Sequence, residues 1–491
     1  MAERVRIAVV GHTNTGKTSL LRTLMRDTSF GEVADAPGTT RHVEGARLKI
    51  DGEPVLAWFD TPGMEDSVAL LEYIEQLADT HLAATGERLD GPARIRRFLD
   101  TPEARGRFEQ EARVLRQMLE SDAALYVIDA RDPVLGKHRD ELALLAACGK
   151  PLLPVLNFIN APGHRADQWR QAMGRLGLHA SIEFDTVAPA LDGEQQLYRR
   201  LAILLESHAD TLDSLAAELS RQRAQRRQAA ATLVAEMLID VAALRIATPP
   251  DEDAVRDAVR QLQDAVRRRE QTCVAALLAL YRFRAEDYAA EQLPLSGERW
   301  DMDLFHPQAL KDAGIRVGFG VAAGAAAGAT IDLLLAGTSL GAAALAGAAA
   351  GGVWQSAGRF GKRLAGRLRG YREVSVDDAV LRLLAIRQLA LIDALERRGH
   401  AAREPLRLRA PSASAPGAAA QPGTAETRWR GEALPDELKE ARSRPEWSSL
   451  GPSDAGGHAR IERRAAAVRS LSRQLQAPLR ADGQATVTAQ R

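Results

Sequence analysis

The sequence has few cysteines, few aromatic residues and no excess of either charge. Only Cys148 and Cys273 are cysteines among its 491 residues, and aromatic residues make up 4%. Two cysteines so far apart form neither a disulfide framework nor a metal-binding knuckle, so we expect a reducing compartment. Lys and Arg number 65, as do Asp and Glu. This balance excludes a global charge that would favour nucleic acid or a membrane surface.

We expect no amino-terminal leader. Residues 1–4 run directly into a short apolar strand, which leaves no room for a signal peptide, and we therefore expect a cytoplasmic protein. The length predicts roughly three domains. Segments rich in Ala, Leu, Arg and Glu fill the second half and predict a mainly helical region there.

The most informative stretch lies near the amino terminus. A β-rich apolar run, residues 6–10, is followed by Gly-His-Thr-Asn-Thr-Gly-Lys-Thr at 11–18, and helical spacing of apolar residues resumes after Ser19. The octapeptide matches the G-x-x-x-x-G-K-T pattern of a phosphate-binding loop. Because strand, loop and helix follow in the required order, an accidental glycine-rich turn is the less favoured interpretation.

The spacing of this loop follows from what a polyphosphate requires. Backbone N–H groups must close around the phosphates and lead into a helix whose amino terminus is electropositive. Gly11 and Gly16 permit close approach and positive φ. Lys17 can reach the β- and γ-phosphates, and Thr18 can offer its hydroxyl to Mg²⁺. The predicted phosphate-binding residues are Gly11, Asn14, Thr15, Gly16, Lys17, Thr18 and Ser19.

Two polar turns downstream carry the residues of a nucleotide switch. A switch needs a hydroxyl that joins the Mg²⁺ shell only when the γ-phosphate is present, and in Pro-Gly-Thr-Thr we assign this role to Thr40 rather than Thr39. A predicted hairpin of strands at 46–50 and 55–59 ends in Asp-Thr-Pro-Gly. There Asp60 can hold a Mg²⁺-bound water, and the N–H of Gly63 can sense the γ-phosphate.

GHTNTGKT, PGTTR and DTPG, in this order and spacing, resemble the first three G-motifs of the Era/TrmE-like branch of translation-factor-class GTPases. The similarity covers about residues 5–190. It implies a Ras-like α/β domain with a mixed, mostly parallel sheet, Mg²⁺-dependent GTP hydrolysis and nucleotide-controlled switches. It also implies that Lys17 binds phosphates, that Thr18 and Thr40 bind Mg²⁺, and that Asp60 binds a Mg²⁺-bound water.

The base-recognition motif departs from this family. Asn157-Phe158-Ile159-Asn160 stands where the family has N-K-x-D. An aspartate accepts hydrogen bonds from both guanine N1–H and the 2-amino group, whereas Asn160 has one oxygen, so guanine selectivity is in question. Phe158 could cover the base by stacking. Residues 181–186 are the predicted last strand and base loop, although the usual S-A-K is absent.

The water-positioning residue also differs from that of Ras-type enzymes. Met64 replaces their glutamine, as a hydrophobic residue does in many Era/TrmE relatives, so hydrolysis is not excluded. Glu65 or Asp66 could orient the water instead, or both could face solvent at a helix start. Arg41 is the only arginine-finger candidate, and we expect slow hydrolysis without a partner.

A long helical insert, residues 64–121, separates the second switch from a strand predicted at 123–129. Ordinary connections need far fewer residues. Its place after the switch suits a segment that converts nucleotide state into movement, and static packing is the equal alternative.

The second half contains a glycine- and alanine-rich stretch, residues 317–353, whose only charged residue is Asp332. Glycines recur every four residues, as in helices that pack closely in membranes. Residues 317–330 are too few to span a bilayer, which needs roughly 20 residues. We slightly favour a reversible hairpin at a membrane surface, assisted by basic residues at 359–372; a packed soluble helical hairpin and a self-association surface are the alternatives.

Other helices are predicted at 197–244, 252–283, 374–398 and 459–475, with Asp251 as an N-cap. Residues 410–427 are rich in Pro, Ala, Ser and Gly and predict a linker. No aromatic residues interleave with the basic clusters, so nucleic-acid binding is not indicated.

The sequence therefore predicts an α/β Ras-like P-loop GTPase domain at 1–200, a helical domain at 201–400 and a largely disordered tail at 401–491. The predicted function is a Mg²⁺-dependent GTP-binding and GTP-hydrolysing switch that acts on its helical half. The alternatives are a non-catalytic nucleotide-binding membrane or scaffold module, or a TrmE-like tRNA-modification GTPase. We rank the last of these low because the chain ends in Thr-Ala-Gln-Arg, without the terminal cysteine of TrmE-type proteins.

Overall fold

A computed structural model of the chain describes residues 4–27, 44–50, 53–283, 304–305, 315, 329–332, 371–400, 402, 429, 433–451 and 458–476. The chain divides into two compact units. The first comprises Met1–Ala224 with Glu396–Glu404, and the second comprises Gln225–Leu395 with Pro405–Arg491.

Among the described residues, no helix is both long and apolar enough to cross a membrane. Both cysteines are buried free thiols, and burial raises the pKa of each to about 12.

The first unit is built on a six-stranded sheet with the order β2-β3-β1-β4-β5-β6. β2 runs antiparallel to β3, and the other neighbouring strands are parallel. The predicted Ras-like α/β fold with a mixed, mostly parallel sheet is therefore confirmed. The strands are β1 (Val5–Val10), β2 (Glu44–Ile50), β3 (Glu53–Asp60), β4 (Ala123–Asp129), β5 (Leu152–Asn157) and β6 (Ile182–Glu183).

The central strands of the sheet are apolar because both of their faces are buried. Every residue of β4 and β5 is buried, as expected for parallel strands covered on both faces. β1 divides its side chains between two cores, with Ile7 and Val9 in one and Ala8 and Val10 in the other. Because these strands are parallel, their carboxyl ends meet at one edge of the sheet.

The helices of the first unit include the predicted insert. Tyr73, Phe98 and Phe108 of the insert pack together, with ring centroids 5.8 to 6.3 Å apart. Phe98 and Phe108 are buried in the same core as Ala8 and Val10, so the insert forms part of that core. The helices are α1 (Lys17–Met25), α2 (Ser67–Thr85), α3 (Gly91–Leu99), α4 (Glu109–Glu120), α5 (Gly136–Ala147), α6 (Ala166–Arg175) and α7 (Gly193–Leu204), with 3₁₀ turns at Pro102–Arg105 and Glu206–His208.

The rest of the chain is mainly helical, as predicted. It also contains a three-stranded antiparallel sheet of order β7-β9-β8 that the sequence did not predict. The helix predicted at 459–475 is found as α12, and Asp251 caps α9 as predicted. The elements are α8 (Ala209–Ala243), β7 (Arg245–Thr248), α9 (Glu252–Leu280), β8 (Ala329–Asp332), β9 (Arg372–Val376), α10 (Asp378–Glu396), α11 (Asp436–Ser443), a 3₁₀ turn at Pro445–Trp447 and α12 (His458–Gln476).

Two predictions are wrong in this region. Residues 374–376, assigned to a helix, lie in β9, where the buried Val-Ser-Val alternation suits a strand. The helix begins only after Asp377, whose carboxylate accepts the N–H of Ala379 at 2.7 Å. Residues 329–332, assigned to the helical hairpin at 317–353, form β8 and pair with β9. The remainder of 317–353 lies outside the described residues.

Candidate nucleotide site

The loop between β1 and α1 has a backbone that requires glycine at two points. Gly11 and Gly16 have φ of 141° and 92°. A Cβ at Gly11 would lie 2.5 Å from the carbonyl oxygen of Val127, and one at Gly16 would lie 2.4 Å from Nδ2 of Asn157. Real Cβ atoms do not approach so closely, so both positions need glycine for space as well as for φ.

Lys17, the first residue of α1, folds back over this loop. Its Nζ donates hydrogen bonds to the carbonyl oxygens of Gly11, at 3.1 Å, and His12, at 2.7 Å. Burial lowers the pKa of Lys17 to about 8, while the nearby carboxylates of Asp60 and Glu141 oppose the shift. Carbonyl oxygens carry only partial charges, so the fully charged oxygens of a polyphosphate would compete well for this ammonium group.

Thr18 and Asp60 meet at the carboxyl edge of the sheet. The Thr18 hydroxyl donates to Oδ2 of Asp60 at 2.5 Å, and both side chains are buried. The parallel register of β1 and β3 pairs Val9 with Asp60, which brings the carboxylate beside the start of α1. Hydroxyl and carboxylate oxygens are ligands that Mg²⁺ accepts. The structure thus brings together these two predicted metal-site residues.

The turn after β3 packs directly on the phosphate loop. A Cβ at Gly63 would lie 2.4 Å from Oγ1 of Thr13 and 2.6 Å from its Cα, so glycine is required by this approach. The N–H of Met64 donates to the carbonyl of Gly11 at 3.4 Å. The side chain of Met64 is fully buried in a hydrophobic core. Gly63 therefore lies beside the loop, as its predicted role requires, and Met64 contributes packing.

The two carboxylates that follow Met64 have different surroundings. Glu65 Oε1 lies 3.5 Å from the hydroxyl of Thr13 in the phosphate loop. Asp66 is the N-cap of α2, where its Oδ1 accepts the N–H of Ala69 at 3.4 Å. The buried Glu111 holds both residues through their backbone N–H groups, at 3.0 and 3.1 Å. Glu65 is thus the carboxylate nearer the phosphate loop, and Asp66 serves the helix start.

A partly buried polar network that includes His12 of the loop was missed from the sequence. His12 Nδ1 lies 2.6 Å from Oε1 of Glu141, and its Nε2 lies 2.7 Å from Nζ of Lys137. The Tyr126 hydroxyl donates to Oε2 of Glu141 at 2.8 Å, and burial raises the pKa of Tyr126 well above its usual value. Since a lysine ammonium can only donate, His12 fits as the Nδ1–H tautomer that donates to Glu141. The network thereby fixes the second residue of the phosphate loop.

A sequence signal for Glu141 did exist. It lies three residues after the buried His138 and four before the buried Leu145, on the inward face of α5. A carboxylate on such a face needs a partner, but the partners Tyr126 and His12 lie 15 and 129 residues away along the chain. Helical spacing could have indicated the burial of Glu141 without indicating what it binds.

At the other end of the loop, Asn157 joins three segments. Its side chain is fully buried at the end of β5 and donates from Nδ2 to the carbonyl of Thr15 at 3.0 Å. Its Oδ1 accepts from the N–H groups of Phe158, at 2.9 Å, and Thr186, at 3.0 Å. Asn157 therefore ties the phosphate loop to residues 185–188, which we call the base loop.

Phe158 and Asn160 occupy the remaining base-recognition positions. Phe158 has φ of 56°, and its ring lies 3.3 Å from a Cβ built at Gly16. The guanidinium of Arg131 lies over the same ring, 4.0 Å from its centroid. Asn160 donates from Nδ2 to the carbonyl of Ala188 at 3.1 Å. Its own N–H donates to Asp185, a buried carboxylate that also accepts two N–H groups of the base loop.

The structure thus gathers most of the predicted residues into one site. The Thr15 hydroxyl donates to the carbonyl of His12 at 3.0 Å, Ser19 lies half-buried on α1, and Asn14 is exposed with φ of 63°. Thr39, Thr40 and Arg41 lie outside the described residues.

Two family models match the chain. One, described as 50S ribosome-binding GTPase, matches residues 6–158. The other, described as domain of unknown function DUF3482, matches residues 170–487.

Several known proteins are similar to parts of the chain. The tRNA modification GTPase MnmE of Jannaschia sp. (strain CCS1) is 41% identical over 80 residues, which are 16% of this chain and 18% of that protein. Translation initiation factor IF-2 of Roseiflexus castenholzii is 24% identical over 260 residues, 53% of this chain and 28% of that protein. The chain spans less than a third of the length of these two relatives. A crystal structure of Aquifex aeolicus Era bound to GDP and AlF4⁻ matches 37% of this chain and 52% of that one, with 18% identity and a TM-score of 0.27.

The two family models cover the residues of the site. The GTPase model covers the phosphate loop, Asp60, Gly63 and Asn157, and the DUF3482 model begins before the base loop. Because the second model covers more than half of the chain, the chain belongs to the DUF3482 family, and its amino-terminal part is a P-loop GTPase domain.

Proposed function

We propose that the chain is a switch that hydrolyses GTP with Mg²⁺ and transmits its nucleotide state to its helical half. The supporting observation is the junction at the carboxyl edge of the sheet, where Lys17 lies on loop carbonyls and Thr18 meets Asp60. A buried cation and two oxygen ligands beside a glycine-bounded loop suit a polyphosphate with a divalent ion.

The residues present fit Mg²⁺. Thr18 would bind the ion through its hydroxyl, and Asp60 would act through a bound water; both side chains end in oxygen and converge at 2.5 Å. Thr40 is the proposed third ligand. When bound, Mg²⁺ supplies positive charge to the β- and γ-phosphate oxygens.

The side chains of the site divide the remaining tasks. Lys17 would move its ammonium from the carbonyls of Gly11 and His12 to phosphate oxygens, and the N–H of Gly63 would donate to the γ-phosphate. We propose Glu65 as the residue that positions the attacking water, because its carboxylate lies near Thr13 of the phosphate loop.

We propose guanine as the base, bound with modest selectivity. Phe158 replaces the stem of the usual lysine as an apolar cover, since its ring lies beside Gly16. The amide nitrogen of Asn160 is engaged by Ala188, which leaves its one oxygen to accept from guanine. Affinities for GTP and XTP should therefore differ by no more than about tenfold. A preference of several orders of magnitude, measured by titration, would remove Asn160 from this role.

The proposal includes a cytoplasmic location and reversible contact of the residues on either side of β8, 317–328 and 333–353, with a membrane surface. Its support is the glycine stripe and the basic residues that follow it in the sequence. The second candidate function is a nucleotide-binding membrane or scaffold module in which hydrolysis plays no part, and its support is the same stretch. Self-association through this stretch is proposed on the same ground.

Phosphate release from GTP tests the enzyme proposal. Wild type, Lys17→Ala and the control Lys150→Ala would be compared with and without vesicles of anionic lipid. Lys150 lies before the amino-terminal end of β5, whereas the site lies at the carboxyl ends of the strands. We expect release to fall on the order of 100-fold in Lys17→Ala and to stay unchanged in Lys150→Ala. Release that does not depend on Lys17 under either condition would contradict hydrolysis at this site.

A further inference from the structure

The base loop is held from several sides by the first unit. Asp185 accepts the N–H groups of Val187 and Ala188, and Asn157 accepts that of Thr186. The Thr23 hydroxyl of α1 donates to the carbonyl of Thr186 at 3.0 Å. These contacts come from α1, from the end of β5 and from the base loop itself, all within the first unit.

One further contact comes from far along the chain. Residues 396–400, which we call the strap, lie at the end of α10 and just after it, and they belong to the first unit. Within it, the N–H of Gly399 donates to the carbonyl of Val187 at 2.9 Å. A Cβ at Gly399 would lie 1.8 Å from the carbonyl oxygen of Thr186 and 3.1 Å from the Thr23 hydroxyl. Gly399 is buried, and its φ is not in the left-handed region, so space alone requires glycine here.

The strap is anchored at a second point beside the base loop. The buried carboxylate of Glu396 lies 3.5 Å from the guanidinium of Arg223. Arg223 also donates to the carbonyl of Leu191, just after the base loop. The turn after Gly399 is closed by the N–H of Ala402, which donates to the carbonyl of Gly399 at 3.1 Å. The strap is therefore held at two points, by Arg223 at Glu396 and by Val187 at Gly399, and a shift of Gly399 away from Thr186 must break its hydrogen bond to Val187.

We propose that the strap sets how long a nucleotide stays bound, with Gly399 as the positioning residue that holds the base loop closed. Gly399 contacts the base loop, so it acts through Thr186 and Val187. The inference deepens the proposed function, on which it rests, by naming a segment late in the sequence that holds the base loop.

The dissociation rate of a fluorescent GDP from the full chain tests this inference. In Gly399→Ala, the added methyl group must displace the carbonyl of Thr186, because contacts under 3.0 Å are not tolerated. We expect dissociation at least tenfold faster than in wild type, with association changed by less than threefold. The control is Gly451→Ala, where an added Cβ meets nothing within 4 Å, and its rates should equal those of wild type. Unfolding temperatures of all three proteins report any general loss of stability.

A measurement on the wild type covers the case in which Gly399→Ala does not fold. Hydrogen exchange of the full chain with and without GDP should show added protection in the peptides of the base loop and the strap together. Protection of the base loop alone, or unaltered GDP dissociation from folded Gly399→Ala, would contradict the role proposed for the strap. Neither result would contradict nucleotide binding at the site. Failure of the wild type to bind GDP at all would overturn the proposed function and the strap with it.

Discussion

The phosphate loop was predictable residue by residue because its backbone form is encoded locally. Gly11 and Gly16 have φ of 141° and 92°, and the eight-residue pattern places a glycine at each of these positions. Glu141 was not predictable in the same way, since its role depends on His12 and Tyr126 across the fold. A local pattern encodes backbone form, whereas a buried ion network is encoded only by the tertiary structure.

The pKa of Lys17 predicts the pH dependence of nucleotide binding. Burial lowers it to about 8 in the free protein, so Lys17 is charged at pH 7 and loses its proton as the pH rises through 8. Affinity for GDP, measured by titration, should therefore fall by about fourfold between pH 7.0 and 8.5. Lys17→Ala should show no such slope. A wild-type affinity that is flat or rises over this range would contradict the assignment of Lys17 to the phosphates.

Glu141 should be required for the stability of the first unit. Glu141→Ala removes the buried partner of His12 and Tyr126 and should lower the free energy of unfolding by about 3 kcal/mol. Glu141→Gln can keep hydrogen bonds to both and should lower it by about 1 kcal/mol. Urea unfolding measures both changes. Glu120→Ala, an exposed carboxylate of the same unit, is the control, and an equal loss in it and Glu141→Ala would contradict this account.

At the scale of elements, the predictions succeeded where the sequence pattern was long or flanked by clear signals. β4 was predicted at its observed bounds because six apolar residues in succession are followed by an aspartate. α9 was predicted to start after Asp251 because Pro-Pro-Asp ends the preceding segment. The predictions for the segments that contain β8 and β9 failed because strands of four and five residues gain stability from pairing with each other. Local periodicity does not show such pairing.

The cap of α9 gives a test at this scale. Asp251 accepts the N–H of Ala254 at 3.1 Å, at the start of a 29-residue helix. Asp251→Ala should lower the free energy of unfolding of the second unit by about 1 kcal/mol, because an N–H group loses its acceptor. Asp257→Ala, an exposed aspartate within the same helix, is the matched control for urea unfolding and should show no comparable loss. Equal effects of the two variants would remove the capping role.

At the scale of the whole molecule, the chain combines a GTPase domain with a family-specific half. The strap belongs to the first unit although it lies at the end of α10 and just after it. No sequence pattern marked it, because Gly399 is required by a contact with Thr186, 213 residues earlier in the numbering. The structure therefore adds to the sequence a contact, within the first unit, between the base loop and a segment late in the chain.

The proposed switch depends on the binding of a polyphosphate by Lys17 in the loop between β1 and α1. Calorimetric titration of the full chain with GTP and Mg²⁺ measures this binding, with Lys17→Ala beside wild type and Lys150→Ala as the control. We expect a single site that Lys17→Ala weakens about 100-fold, or ~2.8 kcal/mol, and that Lys150→Ala leaves unchanged. Equal affinities of wild type and Lys17→Ala would contradict it.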